Sequence, residues 1–167
     1  MNGVQAFQAS FGGAHNWFNG TVADVTEEQA TSVPAGVAHP IGELAAHVLH
    51  SEDGAISMVT GEPTIWEAEG YGQKLGIEFV FSQDHEVARA LRTTPAQLSE
   101  YAQKVFARTD AYLASLTDAD LDREVNAFGQ MMPLGQFLGA VLLGNTYAHT
   151  GEISALKGLH SAKGYPF

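Results

Sequence analysis

The 167-residue sequence predicts an all-α protein, a four-helix bundle with one long connection between its second and third helices. Long segments repeat apolar residues with a spacing of three and four, which is typical of a helix with one buried face. No segment alternates convincingly with a period of two, as a half-buried strand would. Four such helices with mostly short connections indicate a bundle, and the length fits a single domain over residues 1–167.

The first two helices are predicted from their apolar residues and their ends. Thr26 and Gln29 form a capping-box pattern, which predicts a short extra turn after the first helix. The second helix begins at Pro40, since proline loses no hydrogen bond at the first helical position, and it ends at Gly61. The apolar stripe of the first helix comprises Val4, Phe7, Phe11, Phe18, Val22 and Val25.

The last two long helices are predicted from the same kinds of signal. The third opens at the capping-box sequence TPAQ of residues 94–97, and Thr117 with Asp120 caps a short turn after it. The fourth begins near Pro133 and ends at Gly158. Both therefore have ends that the sequence marks with known helix signals.

The connection over residues 61–93 is unusually long for a compact domain. Connections of this length often carry function, so a lid over a site is one interpretation; an aromatic cover for one edge of the bundle is the other, and the two are weighed equally. Residues 77–81 have a strand-like composition without a matching partner, and we expect a loop or a short helix there. The aromatic residues of the connection are Trp66, Tyr71, Phe79 and Phe81.

The charge of the chain restricts its partners. Eight Lys and Arg residues stand against 19 Asp and Glu residues, a formal net charge of −11, and the first basic residue is Lys74. Binding of nucleic acid or of an anionic membrane surface needs clustered basic groups, so we expect neither partner. The absence of cysteine excludes disulfides and thiolate metal ligands, and we expect a cytoplasmic protein.

Polar residues interrupt the apolar pattern of the last helix. At 100° per residue, Asn145, His149 and Glu152 fall inside the stripe that contains Leu138. Burying unpaired polar groups costs about 1–3 kcal/mol each, so partners are required. One such residue would indicate an internal hydrogen-bond network, whereas three on consecutive turns favour a ligand or metal site.

Two other helices carry histidines. His15 falls within the apolar stripe of the first helix, which predicts a core position. On the second helix, periodicity alone places a narrow polar stripe in solvent. Neutral imidazoles on facing helices are the usual ligands of Zn, Ni or Fe, so these histidines bear on any metal site. The polar stripe comprises Glu43, His47, His50 and Gly54.

Four segments together resemble the DinB/YfiT-like superfamily, over nearly the whole chain. They are IGELAAHVLHSED (41–53), GEPTIW (61–66), NTYAHTGEI (145–153) and KGYPF (163–167). The resemblance implies a four-helix bundle, often a homodimer, with a divalent metal (Zn, Ni or Fe) bound by His47, Asn145 and His149.

Asn145 departs from the family pattern, because histidine is usual at that position. An amide oxygen is a weaker ligand than imidazole for Zn or Ni, so the metal would bind weakly, bind through water or be absent. His15 and His50 are two alternative sources of the missing nitrogen. In this interpretation His47 lies in a cleft, contrary to the expectation from periodicity.

The resemblance also implies a function. We expect a metal-dependent enzyme that acts on a small molecule, as an S-transferase for a low-molecular-weight thiol or a related hydrolase, with a part in stress response. Glu152 would act as a general base or orient an imidazole. The alternative is a metal-free bundle that binds a small apolar ligand or a protein partner, with Asn145, His149 and Glu152 as a polar network.

Overall fold

A computed structural model describes residues 1–77 and 85–167 of the chain, so part of the strand-like segment 77–81 lies outside the described residues. The described elements are α1 (Gly3–Val22), α2 (Glu27–Thr31), α3 (Ile41–Thr60), α4 (Ile65–Ala68), α5 (Tyr71–Leu75), α6 (His85–Ala90), α7 (Ser99–Ser115), a 3₁₀ helix (Asp118–Asp122), β1 (Glu124–Ala127), β2 (Gln130–Pro133), α8 (Leu134–Gln136), a π-helix (Phe137–Leu143) and α9 (Gly144–Leu159).

Four long helical segments form a bundle, which confirms the predicted fold class. Helix α1 packs against α7 and α9, and α3 packs against the same two helices, so α1 and α3 lie diagonally across the bundle. The connection between α3 and α7 contains the short helices α4, α5 and α6. Within the described ranges, no helix combines the length and the apolar character needed to cross a bilayer.

Most of the predicted helix ends are confirmed. Thr26 and Gln29 form the capping box of α2, and Gly61 ends α3 in the left-handed conformation with φ 75°. Pro40 lies one position earlier than predicted, at the N-cap of α3. The predicted start of the third long helix is wrong, because the capping residues of segment 94–97 close a separate turn and α7 begins only at Ser99.

The last predicted helix is continuous from residue 134 to residue 159 but contains a π-helical segment in its middle. In a π-helix each hydrogen bond spans five residues instead of four, so each residue turns by less than the 100° of an α-helix. The face that packs on the bundle shifts accordingly. Five of its buried residues follow a spacing of four and then three: Leu138, Leu142, Thr146, Thr150 and Ile153.

The expectation that no strand pair exists is wrong for one short segment. Strands β1 and β2 form an antiparallel hairpin in which Val125 pairs with Met132. Its turn residues Phe128 and Gly129 have φ values of 54° and 84°. Phenylalanine is an unusual residue in such a turn, where Asn-Gly or Asp-Gly is common, so the sequence lacked the usual hairpin signal.

Asp53 of α3 fixes the start of the long connection to the bundle. Its carboxylate accepts hydrogen bonds from the backbone N–H groups of Ile65 and Trp66, each at 3.0 Å, and from the Tyr101 hydroxyl at 2.8 Å. Arg108 pairs with the same carboxylate at 3.2 Å. The first part of the connection therefore covers an edge of the bundle, with the Trp66 ring against that of Tyr101.

Candidate functional site

A cavity of about 750 Å³ lies between α3, α9 and the chain that precedes α3. Its lining combines apolar side chains with imidazole and carboxylate groups. Among the described residues, no Lys or Arg lines the cavity. The lining residues are Val37, Ala38, His39, Glu43, Leu44, His47, Ala88, His149, Glu152, Ala155 and Leu156.

His47 joins the two helices at this cavity. Its Nε2 atom lies 3.4 Å from Oδ1 of Asn145 and 3.4 Å from Oγ of Ser51. Its ring centroid lies 4.6 Å from that of His149, with the two rings at 78°. The structure thus brings His47, Asn145 and His149 together from α3 and α9. Burial and the neighbouring His149 lower the pKa of His47, so its imidazole is neutral near pH 7.

The polar stripe of α3 does not face solvent, and the expectation from periodicity is wrong. Glu43 is buried, and His47, His50 and Gly54 are half-buried. The reason is tertiary, because α7 and α9 flank this helix and α4 packs on it as well. A helix with neighbours on several sides can bury a polar stripe that its own periodicity assigns to water.

The position of the α9 residues also needs correction. Asn145 and His149 are half-buried at the edge of the packed face, while the side chain of Glu152 is 57% exposed. None of the three lies in the middle of an apolar stripe, where the 100° projection from Leu138 placed them. The π-helical segment between Leu138 and Asn145 makes that projection invalid.

His149 and Glu152 form an imidazole–carboxylate pair on the surface of the cavity. Nδ1 of His149 lies 2.5 Å from Oε2 of Glu152. A carboxylate in this position holds the proton on Nδ1 and leaves Nε2 with a free lone pair. Glu152 therefore fixes the ring orientation and the tautomer of His149.

A second imidazole–carboxylate pair, which sequence reasoning missed, lies in the same cavity. Nδ1 of His39 is 2.8 Å from Oε2 of Glu43. Burial raises the pKa of Glu43, and the paired His39 opposes that effect. The available signal was the four-residue spacing across the start of α3, which places both side chains on one side of the helix.

His15 and His50, the two alternative sources of a ligand nitrogen, lie elsewhere. His15 is 5% exposed, which confirms its predicted core position, and its Nε2 atom bonds to Glu52 in the bundle interior. The ring of His50 contacts Trp66 at a centroid distance of 5.8 Å. Neither histidine lines the cavity.

Two donor atoms of this site have the spacing of ligands on one divalent ion. The distance of 3.4 Å between His47 Nε2 and Asn145 Oδ1 is long for a hydrogen bond. It equals the separation of about 3.4 Å between two ligands that lie 2.0–2.1 Å from a tetrahedral ion. The amide Nδ2 of Asn145 is buried, and no described residue forms a hydrogen bond with it.

The amide oxygen of Asn145 is the third member of the candidate donor set. Across residues 1–77 and 85–167, no three His, Asp or Glu side chains converge as metal ligands would. His47 and His149 offer two imidazoles, and among the described residues Asn145 is the amide in contact with His47 beside them. Two imidazoles and an amide would bind a divalent metal more weakly than three imidazoles.

Comparison with known proteins identifies the superfamily to which the chain belongs. The family model described as the DinB superfamily matches residues 13–153, and the chain belongs to this superfamily. A solved structure of a conserved protein from Enterococcus faecalis superposes with a TM-score of 0.80 at 19% identity, covering 95% of this chain and 97% of that one.

A DinB-like protein from Bacillus cereus ATCC 10987 superposes with a TM-score of 0.67 at 19% identity, covering 96% of this chain and 94% of that one. At this level of identity the two structures establish the shared fold alone. No functionally curated protein matches the chain at a significant level.

Proposed function

We propose that the protein is a metal-dependent enzyme that transfers a low-molecular-weight thiol to a small substrate or hydrolyses a related one. The observation that carries this proposal is the donor set of His47, Asn145 and His149 beside a cavity of about 750 Å³. We also propose that the protein is a homodimer, as the superfamily resemblance implies, and that it is located in the cytoplasm.

The residues of the chain have separate tasks in this proposal. His47 offers a neutral imidazole, because burial lowers its pKa, and Glu152 holds His149 with its Nε2 atom free for coordination. The divalent metal, when bound, would lower the pKa of a thiol or water and so supply the nucleophile. Because Glu152 contacts His149, we favour a role in orienting the His149 imidazole over a role as a general base.

Metal content of the untagged protein tests the proposal. We expect Zn, Ni or Fe to bind to the wild type and to be lost from His149→Ala. The Asn145→His variant should bind more tightly, because it replaces an amide oxygen with an imidazole. His160→Ala, a change at an exposed histidine of the tail, is the matched control. Substoichiometric metal in the wild type after incubation with each ion would contradict the proposal.

A metal-free bundle that binds a small apolar ligand or a protein partner is the second candidate. The amide at position 145 and the apolar residues that line the cavity favour it. The thermal midpoint separates the two candidates, because an ion that binds only the folded state raises it. A midpoint that neither chelator nor added metal changes supports the metal-free protein, and a rise of several degrees with metal supports the enzyme.

A further inference from the structure

We propose that Glu43, held in place by His39, is a subsite that binds an ammonium group of the substrate. The proposal rests on the proposed function only in taking the cavity beside His47 and His149 as the substrate site. It assigns to that site a substrate class, a primary amine with a short apolar chain. It applies equally to the metal-bound and the metal-free protein.

The geometry leaves one oxygen of Glu43 available. Oε2 is engaged by Nδ1 of His39 at 2.8 Å, and no described residue forms a hydrogen bond with Oε1. The Glu43 side chain is only 7% exposed, yet it lines the cavity. The carboxylate is thus positioned by one partner and faces a space that a ligand can enter.

Charge decides which ligand fits. The cavity contains two carboxylates, Glu43 and Glu152, and no Lys or Arg among its described lining residues. Burial raises the pKa of Glu43, which means that its negative charge is incompletely compensated. An ammonium group supplies the opposite charge and three N–H donors, and hydrogen bonds between charged partners are the stronger kind.

The surroundings favour the same class of ligand. Leu44, Ala155 and Leu156 line the same cavity and offer apolar surface for a short alkyl chain. The formal net charge of −11 attracts cations and repels anions as they approach the protein. A carboxylate or phosphate ligand would meet two acids and no permanent positive charge in the described lining.

Three probes that share a butyl chain and differ in the head group test the proposal in the wild-type protein. Backbone amide shifts would be followed by NMR during titration with butylammonium, 1-butanol and pentanoate, first without metal and then with Zn. We expect butylammonium to bind about tenfold more tightly than butanol, and pentanoate to bind most weakly. Equal affinity for all three probes, or preference for pentanoate, would overturn the proposal without any variant.

The Glu43→Gln variant tests whether Glu43 itself causes the preference for butylammonium. It should lose the preference for butylammonium, whereas Glu124→Gln, which removes an exposed acid from β1, should retain it. Retention of the preference in Glu43→Gln would show that Glu43 is not the subsite. If Glu43→Gln instead loses metal, Glu43 is a metal ligand and the ammonium proposal is wrong. Failure of the wild type to bind metal would leave this proposal intact, since the probes are compared without metal.

Discussion

Nε2 of His15 lies 2.9 Å from Oε1 of Glu52, across the middle of the bundle from α1 to α3. The hydroxyl of Thr109 on α7 donates to the same oxygen at 2.6 Å, and the His15 ring stacks on Phe106 at 4.0 Å. This polar layer separates two apolar clusters, one around Phe18 and one around Phe11 on α1. The hydrogen bonds within a buried polar layer of this kind form only when the helices are in the correct register.

Removing the buried carboxylate should be costly. Glu52→Ala leaves His15 and Thr109 buried without their common partner, so we expect the free energy of unfolding to fall by about 3–5 kcal/mol. Urea denaturation followed by circular dichroism measures this change. The exposed control His160→Ala should change stability by less than about 0.5 kcal/mol. A comparable loss in both variants would rule out a special role for the layer.

Two glycines on α3 should respond in opposite directions to alanine. A Cβ atom at Gly42 would lie 1.9 Å from the carbonyl oxygen of Thr93, whereas nothing lies within 4 Å of a Cβ at Gly54. We expect Gly42→Ala to destabilise the protein by at least about 1–3 kcal/mol through overpacking. Gly54→Ala should stabilise it by about 0.5–1 kcal/mol, since alanine favours the helix.

The two glycine variants form a matched pair, because each adds one methyl group to the same helix. Thermal denaturation of both, under identical conditions, gives the comparison. Equal midpoints would mean that the start of α3 is not packed closely against the backbone at Thr93.

The stability of the protein should depend on pH through His50. Burial lowers the pKa of His50 below its ordinary 6.5 in the folded chain. Below pH 6.5 the unfolded chain therefore takes up the proton first, and stability falls as pH falls from 6.5 through the folded-state pKa. Above pH 6.5 the contribution of His50 is fully retained.

The His50→Gln variant should therefore lose part of this pH dependence. The measurement is the difference in the free energy of unfolding between pH 7.5 and pH 5.5, which should be smaller in His50→Gln than in the wild type. His160→Gln, at an exposed position, should keep the wild-type difference. An identical difference in all three proteins would show that His50 titrates alike in the folded and unfolded states.

The contact of Glu152 with His149 should influence metal affinity. If the proposed metal binds, Glu152→Gln should weaken it about 10–100-fold, because the carboxylate orients the imidazole and increases its basicity. Competition with a chromophoric chelator measures the dissociation constant. Glu124→Gln removes an acid of equal charge at a distant exposed site and should leave affinity unchanged. Unchanged affinity in Glu152→Gln would exclude the orienting task.

Local signals explain which helix boundaries were predictable. The capping box of Thr26 and Gln29 satisfies backbone N–H groups at the start of α2. Gly61 ends α3 through its own left-handed conformation. Both signals act within a few residues, so they indicate a helix end regardless of distant packing. Segment 94–97 has the same chemistry but closes only one turn before α7 begins. A cap specifies where a turn starts, and the residues after it decide whether the helix continues.

The candidate site was predictable in part. The superfamily resemblance placed His47, Asn145 and His149 together; His47 and His149 do line one cavity, and Asn145 contacts His47. The burial of Asn145 and His149 was not predictable from a helical wheel, because the π-helix before Asn145 changes the angle by which successive residues turn around the helix axis. The pair of His39 and Glu43 was missed, since nothing in the sequence indicates that the chain before α3 forms a cavity wall.

The sequence by itself determined the helical class, the approximate extent of the long helices, the acidic charge and the core position of His15, because apolar spacing, caps and composition are local properties. Only the tertiary structure decided that the polar stripe of α3 is covered, that the π-helix turns Asn145 and His149 toward His47, and that Glu43 faces a cavity. Burial of a side chain depends on which neighbours reach it, and residues far apart in the chain supply those neighbours.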